Sequence, residues 1–510
     1  MKKVIIIGSG MAGLTAGAYL SREGFDVTIY EQFNSIGGVT ATIHKDGYSW
    51  DIGPLLLEGF APHEKLGKIL KELGIDDQIK VIKEDRGIWF PDFKIWHPDE
   101  YQGPYWRREY LKELFPEDSE GLDEYYKFYD KMLKVAYLNN LLPFTKGIKK
   151  FFIKLRLLFA FLKVKKYENW SASQITDHFF SNQKLKAMYL GILADMVVKP
   201  SEFFGLGVPL FNIETAFDKR IPIKFKGRKN PVYHYVKNGC EELVNTFANF
   251  IRNNGGIIKT NSKVEKIVIE NGKATGVRLE SGENIKADLV ISSGGMFSVF
   301  YDLVGKEHLS EDFIKSIEKI TLMESVFMVH IGIDFDPTPY QRAALCYYYQ
   351  TYDIEGAIDV MRKGKYHEGR DGYLIYIPSM HSPEMAPSGK HSVTIYTVSP
   401  HKLKEGNWDD KREELADKLI MEAEKIIPGL REHTQVRIIM TPDDFLKRIN
   451  VVRHSFGGTA PKLGQQNPSH KTPIKDLWYI GAYSESGGGV TGVVDGTRSA
   501  IKNLLEETKE

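Results

Sequence analysis

Residues 3–31 read KVIIIGSGMAGLTAGAYLSREGFDVTIYE, and this stretch decides the fold. The β-branched run Lys3 to Ile7 has the composition of a strand buried on both faces of a parallel sheet. Gly8-Ser9-Gly10-Met11-Ala12-Gly13 follows, then a helical stretch from Leu14 to Glu23, then a second strand from Asp26 to Tyr30 that ends on Glu31. The physical demands of a dinucleotide explain each part. Gly8 makes the tight turn, Gly10 lets the backbone approach a pyrophosphate, and Gly13 lets helix and strand pack closely. The helix start offers free N–H groups and a partial positive charge to the phosphates. Glu31, eighteen residues past Gly13, is placed to accept hydrogen bonds from ribose hydroxyls and would repel a 2′-phosphate. Glycines in the order strand, turn, helix, strand, acid read as a nucleotide site rather than a bare turn.

The rest of the chain bounds this reading. At 510 residues it exceeds one compact core, so several domains are expected. A formal net charge of +1 supplies no global field for nucleic acid. Two cysteines, Cys240 and Cys346, make no disulfide framework and point to a reducing compartment. The apolar start stops at Gly8, too short for a signal peptide, and no stretch long enough to span a bilayer occurs. A cytoplasmic protein is expected, with attachment at a membrane surface left open. The fourteen histidines fall in no H-x-x-x-H pair and no C-x-x-C occurs, so no metal is expected. No G-x-S-x-G elbow is present either.

Further motifs carry a resemblance. Gly37-Gly38, six residues after Glu31, match the second pyrophosphate element of glutathione-reductase-like flavoproteins, which implies FAD rather than NAD. Gly47-Tyr48-Ser49-Trp50-Asp51-Ile52-Gly53-Pro54 resembles a G-[FY]-x-x-D-x-G-P element, and Asp288 to Ser293 an A-D-x-V-V-S strand. Tyr479-Ile480-Gly481-Ala482, followed by Gly487-Gly488-Gly489-Val490-Thr491-Gly492-Val493, resembles a flavin-closing motif. Together these are similar to the phytoene desaturase and carotenoid isomerase branch of the amine-oxidase-like flavoproteins. Two departures stand out. Val39 occupies a place where desaturases commonly have arginine, and Ser486 replaces a usual proline.

The resemblance implies an α/β fold: a Rossmann-like, glutathione-reductase-like FAD-binding domain with an inserted mixed α+β substrate domain. The FAD domain is expected from 1–84, 232–300 and 446–510, and the substrate domain from 85–231 and 301–445. Gly8, Gly10, Met11, Ala12, Gly13, Glu31, Gln32, Gly37, Gly38, Val39, Thr40, Gly53, Pro54, Leu55, Val264, Gly481, Gly488, Gly489 and Val490 are the expected FAD contacts. Val264 is carried over as a backbone contact to adenine. The second glycine cluster, 487–492, satisfies the fingerprint spacing, but only about eighteen residues follow it. No second strand with a ribose acid fits there. A helix from about Val490 to Leu505, aimed at a flavin, is expected instead.

Between these motifs, a helix is expected over Glu241 to Asn253, and short strands over 263–269, 274–279 and 284–286. In the insertions, strands are expected over 325–334, 373–378 and 392–398, and a helix over 411–427. The strands and Tyr347-Tyr348-Tyr349 serve either as lining for an apolar ligand or as ordinary core. From 143 to 166, eight basic residues, Lys146, Lys149, Lys150, Lys154, Arg156, Lys163, Lys165 and Lys166, occur without an acid around an apolar stretch. This segment reads either as a helix at an anionic membrane surface or as a domain helix with solvated lysines. A second basic run, Lys219 to Lys229, reads as a solvated loop. Asp51, Arg453 and His454 read either as residues near the ring or, more in keeping with their types, as structural residues, and no catalytic base is identified.

The expected activity is FAD-dependent oxidation (desaturation) of carotenoids, other isoprenoids or similar long apolar substrates. A polyene isomerase or saturase, a flavin-free prenyl carrier of the same fold, and amine oxidation remain as alternatives. The expected partner is a hydrophobic small molecule and not a nucleic acid.

Overall fold

The computed structural model describes residues 2–192, 198–451 and 457–508. Its nucleus is a five-stranded parallel sheet in the order Ile257–Lys259, Asp26–Tyr30, Lys3–Ile7, Leu289–Ser292, Leu477–Tyr479. Strands far apart in the chain thus lie side by side: Val4 pairs with Leu289, and Val290 with Leu477. Three helices pack on one face of this sheet: Met11–Arg22, Glu241–Asn253 and Val490–Glu507. The first begins three residues earlier than its sequence periodicity suggests, because Met11 and Ala12 are already helical behind Gly10. A three-stranded antiparallel sheet, Val264–Glu270, Lys273–Leu279 and Asn284–Lys286, covers the other face.

A seven-stranded sheet forms the second layer, in the order Thr434–Met440, Ser325–Ile333, His391–Ser399, Gly372–Tyr376, Leu345–Tyr349, Arg86–Trp89, Lys94–Ile95. Its two faces explain the aromatic strands. Phe327, Cys346, Tyr348, Tyr373 and Ile395 pack against the helix Trp408–Glu424. The alternate residues Met328, Tyr347, Tyr349, Leu374 and Tyr396 point to the opposite side, as the strand period of two requires. That helix starts earlier than expected because the Asn407 side chain accepts from Asp410 N and caps it.

The remaining chain is a helical lobe built on Ser119–Leu141, Ala172–Phe179 and Gln183–Gly191. In the run Lys219 to Lys229 the four lysines are exposed, as a solvated loop leaves them, whereas its two arginines tie into this lobe. Buried Arg228 donates to Asp130 Oδ1 at 2.6 Å and to Asn230, and Arg220 clasps buried Asp218. Gly147–Leu162 is a helix that packs on Ser119–Leu141, yet only Ala160 of it is buried. Phe151 is 60% and Phe159 58% exposed, and Ile148, Phe152, Leu155, Leu158 and Leu162 are exposed with them. The spacing of these residues places them along one stripe. No helix among the described residues is long and apolar enough to cross a membrane.

Candidate cofactor and substrate site

One continuous cavity of about 770 Å³ runs between the two layers. Eighteen of the nineteen expected contacts line it: Gly8, Gly10, Met11, Ala12, Glu31, Gln32, Gly37, Gly38, Val39, Thr40, Gly53, Pro54, Leu55, Val264, Gly481, Gly488, Gly489 and Val490. The nineteenth, Gly13, lies behind the wall, where a Cβ would stand 2.0 Å from the Gly8 carbonyl oxygen. Close packing of helix on turn is therefore its role. Gly10 has the opposite surroundings: a Cβ there would meet no atom within 4 Å and would enter the cavity. Gly10 is also the N-cap of the first helix and no side chain caps it, so the first N–H groups are left for an anion.

Glu31 ends its strand at the rim of this cradle. Its Oε2 accepts from Ser9 N at 2.8 Å and Ser9 Oγ at 2.7 Å, and its Oε1 from Phe33 N at 2.9 Å. A carboxylate has about four acceptor sites, so one remains for a ribose hydroxyl while two brace the glycine turn through Ser9 and one holds the backbone at Phe33. At the far end, Gly489 is the N-cap of the helix Val490–Glu507, with φ +80°. Ser486, in the proline position, meets His470 Nε2 at 3.1 Å. The glycine cluster therefore closes the cavity with a helix start, as expected.

Several liners carry no motif. Arg448 of the helix Pro442–Ile449 donates from Nε to the Gly38 carbonyl at 2.6 Å and stacks on Phe33. An arginine thus reaches the backbone beside Val39 from a segment some four hundred residues away, and burial lowers its pKa while Glu31 opposes that shift. Glu64, accepting from Ala61 N and Val232 N, is pushed up to about 8 by burial. Burial also raises the Glu58 carboxyl. Arg86 and Tyr233 are further polar liners, and only tertiary proximity reveals any of these. Asp51 does not line the cavity: its Oδ1 accepts from Thr42 Oγ1 and Cys240 N, bracing the start of the helix Glu241–Asn253. Arg453 and His454 lie outside the described residues.

On the substrate side the wall is apolar, built from Ile192, Phe204, Leu210, Phe211, Leu345 and Leu374 with the rings of Tyr347 and Tyr396. Apolar lining with few polar groups is what small-molecule sites show. Ala136 and Asn140, from the helix that carries the exposed Gly147–Leu162 segment, also line it.

Comparison with known proteins places this geometry. Residues 11–502 match the family described as flavin containing amine oxidoreductase. Prolycopene isomerase 1 of an Oncidium hybrid cultivar is 25% identical over 96% of this chain and 81% of its own length. The 4,4′-diaponeurosporene oxygenase of Staphylococcus aureus is 25% identical over 100% of this chain and 99% of its own. Among solved structures, an oxidoreductase from Methanosarcina mazei superposes with a TM-score of 0.61 at 19% identity, covering 98% of this chain and 100% of that one. Cyclohexylamine oxidase from Brevibacterium oxydans gives 0.60 at 13% identity over 100% of both chains. These two structures bear on the fold alone. With the nucleotide cradle, the closing helix and a family match across nearly its whole length, the chain belongs to the flavin-containing amine oxidoreductases and is an FAD-dependent oxidoreductase.

Proposed function

We propose that this protein acts on carbon–carbon bonds of a long apolar isoprenoid of the carotenoid class, most directly as a desaturase. The observation that carries the reading is the single cavity that joins the glycine cradle to an apolar, aromatic wall. In this reading the FAD domain comprises 1–84, 232–300 and 446–510, and the substrate domain 85–231 and 301–445. Met11 and Ala12 N–H groups with Arg448 hold the pyrophosphate, Glu31 takes a ribose hydroxyl, and Val264 faces adenine. Gly53 to Leu55, Gly481 and Gly488 to Val490 hold the ring. When bound, FAD supplies the two-electron chemistry. The chain's own residues bind and orient: the helix start at Val490 stabilises negative charge, the aromatic wall excludes water, and Glu64 holds a proton at neutral pH. Val39 and the prolycopene isomerase relative favour a second reading, redox-neutral polyene isomerisation.

Anaerobic incubation of the holoprotein with saturated and conjugated isoprenoids, followed by chromatography, separates the two. Desaturation bleaches oxidised flavin and adds a double bond, whereas isomerisation needs reduced flavin and leaves the bond count unchanged. Turnover of primary amines with no change in any isoprenoid overturns both readings.

Substrate delivery belongs to the same proposal. The exposed apolar stripe on Gly147–Leu162, framed by lysines and attached to a helix that lines the cavity, is read as the docking site for an anionic bilayer. Its lysines add ~1 kcal/mol each near such a surface. Liposomes containing anionic lipid pull down the wild type and not Phe151→Ser/Phe152→Ser/Phe159→Ser. Equal recovery of both proteins refutes the docking role.

A further inference from the structure

We infer that the substrate of this cavity carries a neutral oxygen function, a carbonyl or a hydroxyl, bound by Arg86 and Tyr233. This rests on the reading that the cavity takes a long apolar substrate. Arg86, buried on the strand Arg86–Trp89, spends two nitrogens on Glu84: Nε to Oε1 at 2.6 Å and Nη2 to Oε2 at 2.7 Å. Its Nη1 bonds nothing among the described residues, although the side chain lines the cavity. The guanidinium lies 4.9 Å from the centroid of the Tyr233 ring, and the Tyr233 hydroxyl also bonds no described residue. Tyr233 pairs with Glu58 across two antiparallel strands, Tyr233–Val236 and Leu57–Glu58. Directly opposed residues project to one face, and both line the cavity. Among the described residues the Glu58 carboxyl bonds only its own backbone, so a short polar stripe interrupts an apolar wall.

An apolar substrate without oxygen, once seated, would shut these groups away from solvent with no partner. Each unpaired donor or acceptor costs ~1–3 kcal/mol, and buried polar groups in native complexes are ordinarily satisfied. An oxygen on the substrate supplies the missing acceptor for Arg86 Nη1 and Tyr233 Oη. Charge decides its kind. Glu84 already neutralises Arg86, and Glu58 lies beside Tyr233, so a substrate carboxylate would add an uncompensated anion to an apolar cavity. A neutral carbonyl or hydroxyl adds none.

The test uses the FAD-loaded protein and four isoprenoids of equal carbon number: geranylgeraniol, geranylgeranial, geranylgeranoic acid, and the hydrocarbon ending in a methyl group. Binding is read from the shift of the flavin absorption bands and from partition out of detergent micelles. The alcohol or aldehyde is expected to bind about tenfold tighter than the hydrocarbon, the factor one hydrogen bond supplies. The acid is expected to bind most weakly above its pKa. Removing Arg86 would strand Glu84, so the variant is Tyr233→Phe, which keeps the ring against the guanidinium. It should shrink the preference severalfold, weakening the alcohol and aldehyde through the lost hydrogen bond and tightening the hydrocarbon because no hydroxyl is left unpaired. Equal or tighter binding of the hydrocarbon by the wild type, tightest binding of the acid, or an unchanged preference in Tyr233→Phe overturns the inference while the apolar reading stands. Failure of all four to bind overturns both.

Discussion

Two glycines of the same fingerprint, Gly10 and Gly13, are expected to fail in opposite ways. Gly10 has φ −65° and ψ 174°, angles any residue adopts, and a Cβ there meets no atom within 4 Å. Gly10→Val therefore costs the apoprotein only the ~1 kcal/mol by which valine is the poorer N-cap. Its side chain fills the space where the pyrophosphate must approach. Losing even one or two charge-assisted hydrogen bonds costs ~3 kcal/mol, about a hundredfold in FAD affinity. Gly13→Ala puts a carbon 2.0 Å from the Gly8 carbonyl oxygen, more than ~1 Å inside normal contact. Because the clash is with backbone that cannot swing aside, overpacking here stands at the upper end of ~1–3 kcal/mol, which exceeds the ~1 kcal/mol of helix propensity gained over glycine. Flavin content per protein, from absorbance, and urea denaturation of the apoproteins separate the two effects. A Gly10→Val protein that keeps full flavin content, or a Gly13→Ala apoprotein as stable as wild type, refutes the division of roles.

Arg448→Met is expected to weaken FAD binding about tenfold through loss of a cation beside Gly38, checked by equilibrium dialysis of FAD from the apoprotein. Gly489→Leu forces a branched side chain into φ +80° and toward Glu58, so flavin retention should fall; calorimetry of wild type should show no tight NADH site with FAD in place. Glu64, raised by burial from 4.5 to about 8, favours the fold in its neutral form. Its contribution is complete below about 4.5 and is lost as pH rises to about 8, at up to ~1.4 kcal/mol per pH unit. The wild-type apoprotein should therefore lose more stability between pH 6 and pH 8 than Glu64→Gln does, measured by urea melts. Equal slopes contradict the shifted carboxyl.

Most of the cofactor cradle is legible in the sequence because its demands are local. A glycine that turns, a glycine that admits a phosphate and an acid that ends a strand each leave a mark at a set spacing. Parallel strands buried on both faces leave apolar runs, and the helix Glu241–Asn253 shows its period and its glycine stop. The substrate side leaves few such marks. Arg86, Glu58, Glu64, Tyr233 and Arg448 line the cavity because strands and helices remote in sequence converge there, and no spacing rule links them. The helical lobe was equally opaque: its buried ion pair, Arg107 with Glu214 at 2.7 Å, joins residues that look solvated when read along the chain. The basic segment over Gly147–Leu162 was half legible. Its lysines follow no period, whereas the exposed apolar stripe becomes plain only once its packing partner is known.

The central claim is that one cavity holds FAD between the glycine cradle and the closing helix, with the substrate against the aromatic sheet. A crystal structure of the FAD-loaded protein tests it most directly. The pyrophosphate should lie over the N–H groups of Met11 and Ala12 within reach of Arg448, adenosine beside Glu31 and Val264, and the ring against Gly488 to Val490. A flavin ring found outside this cavity, or a pyrophosphate that leaves the start of the first helix uncontacted, would contradict it.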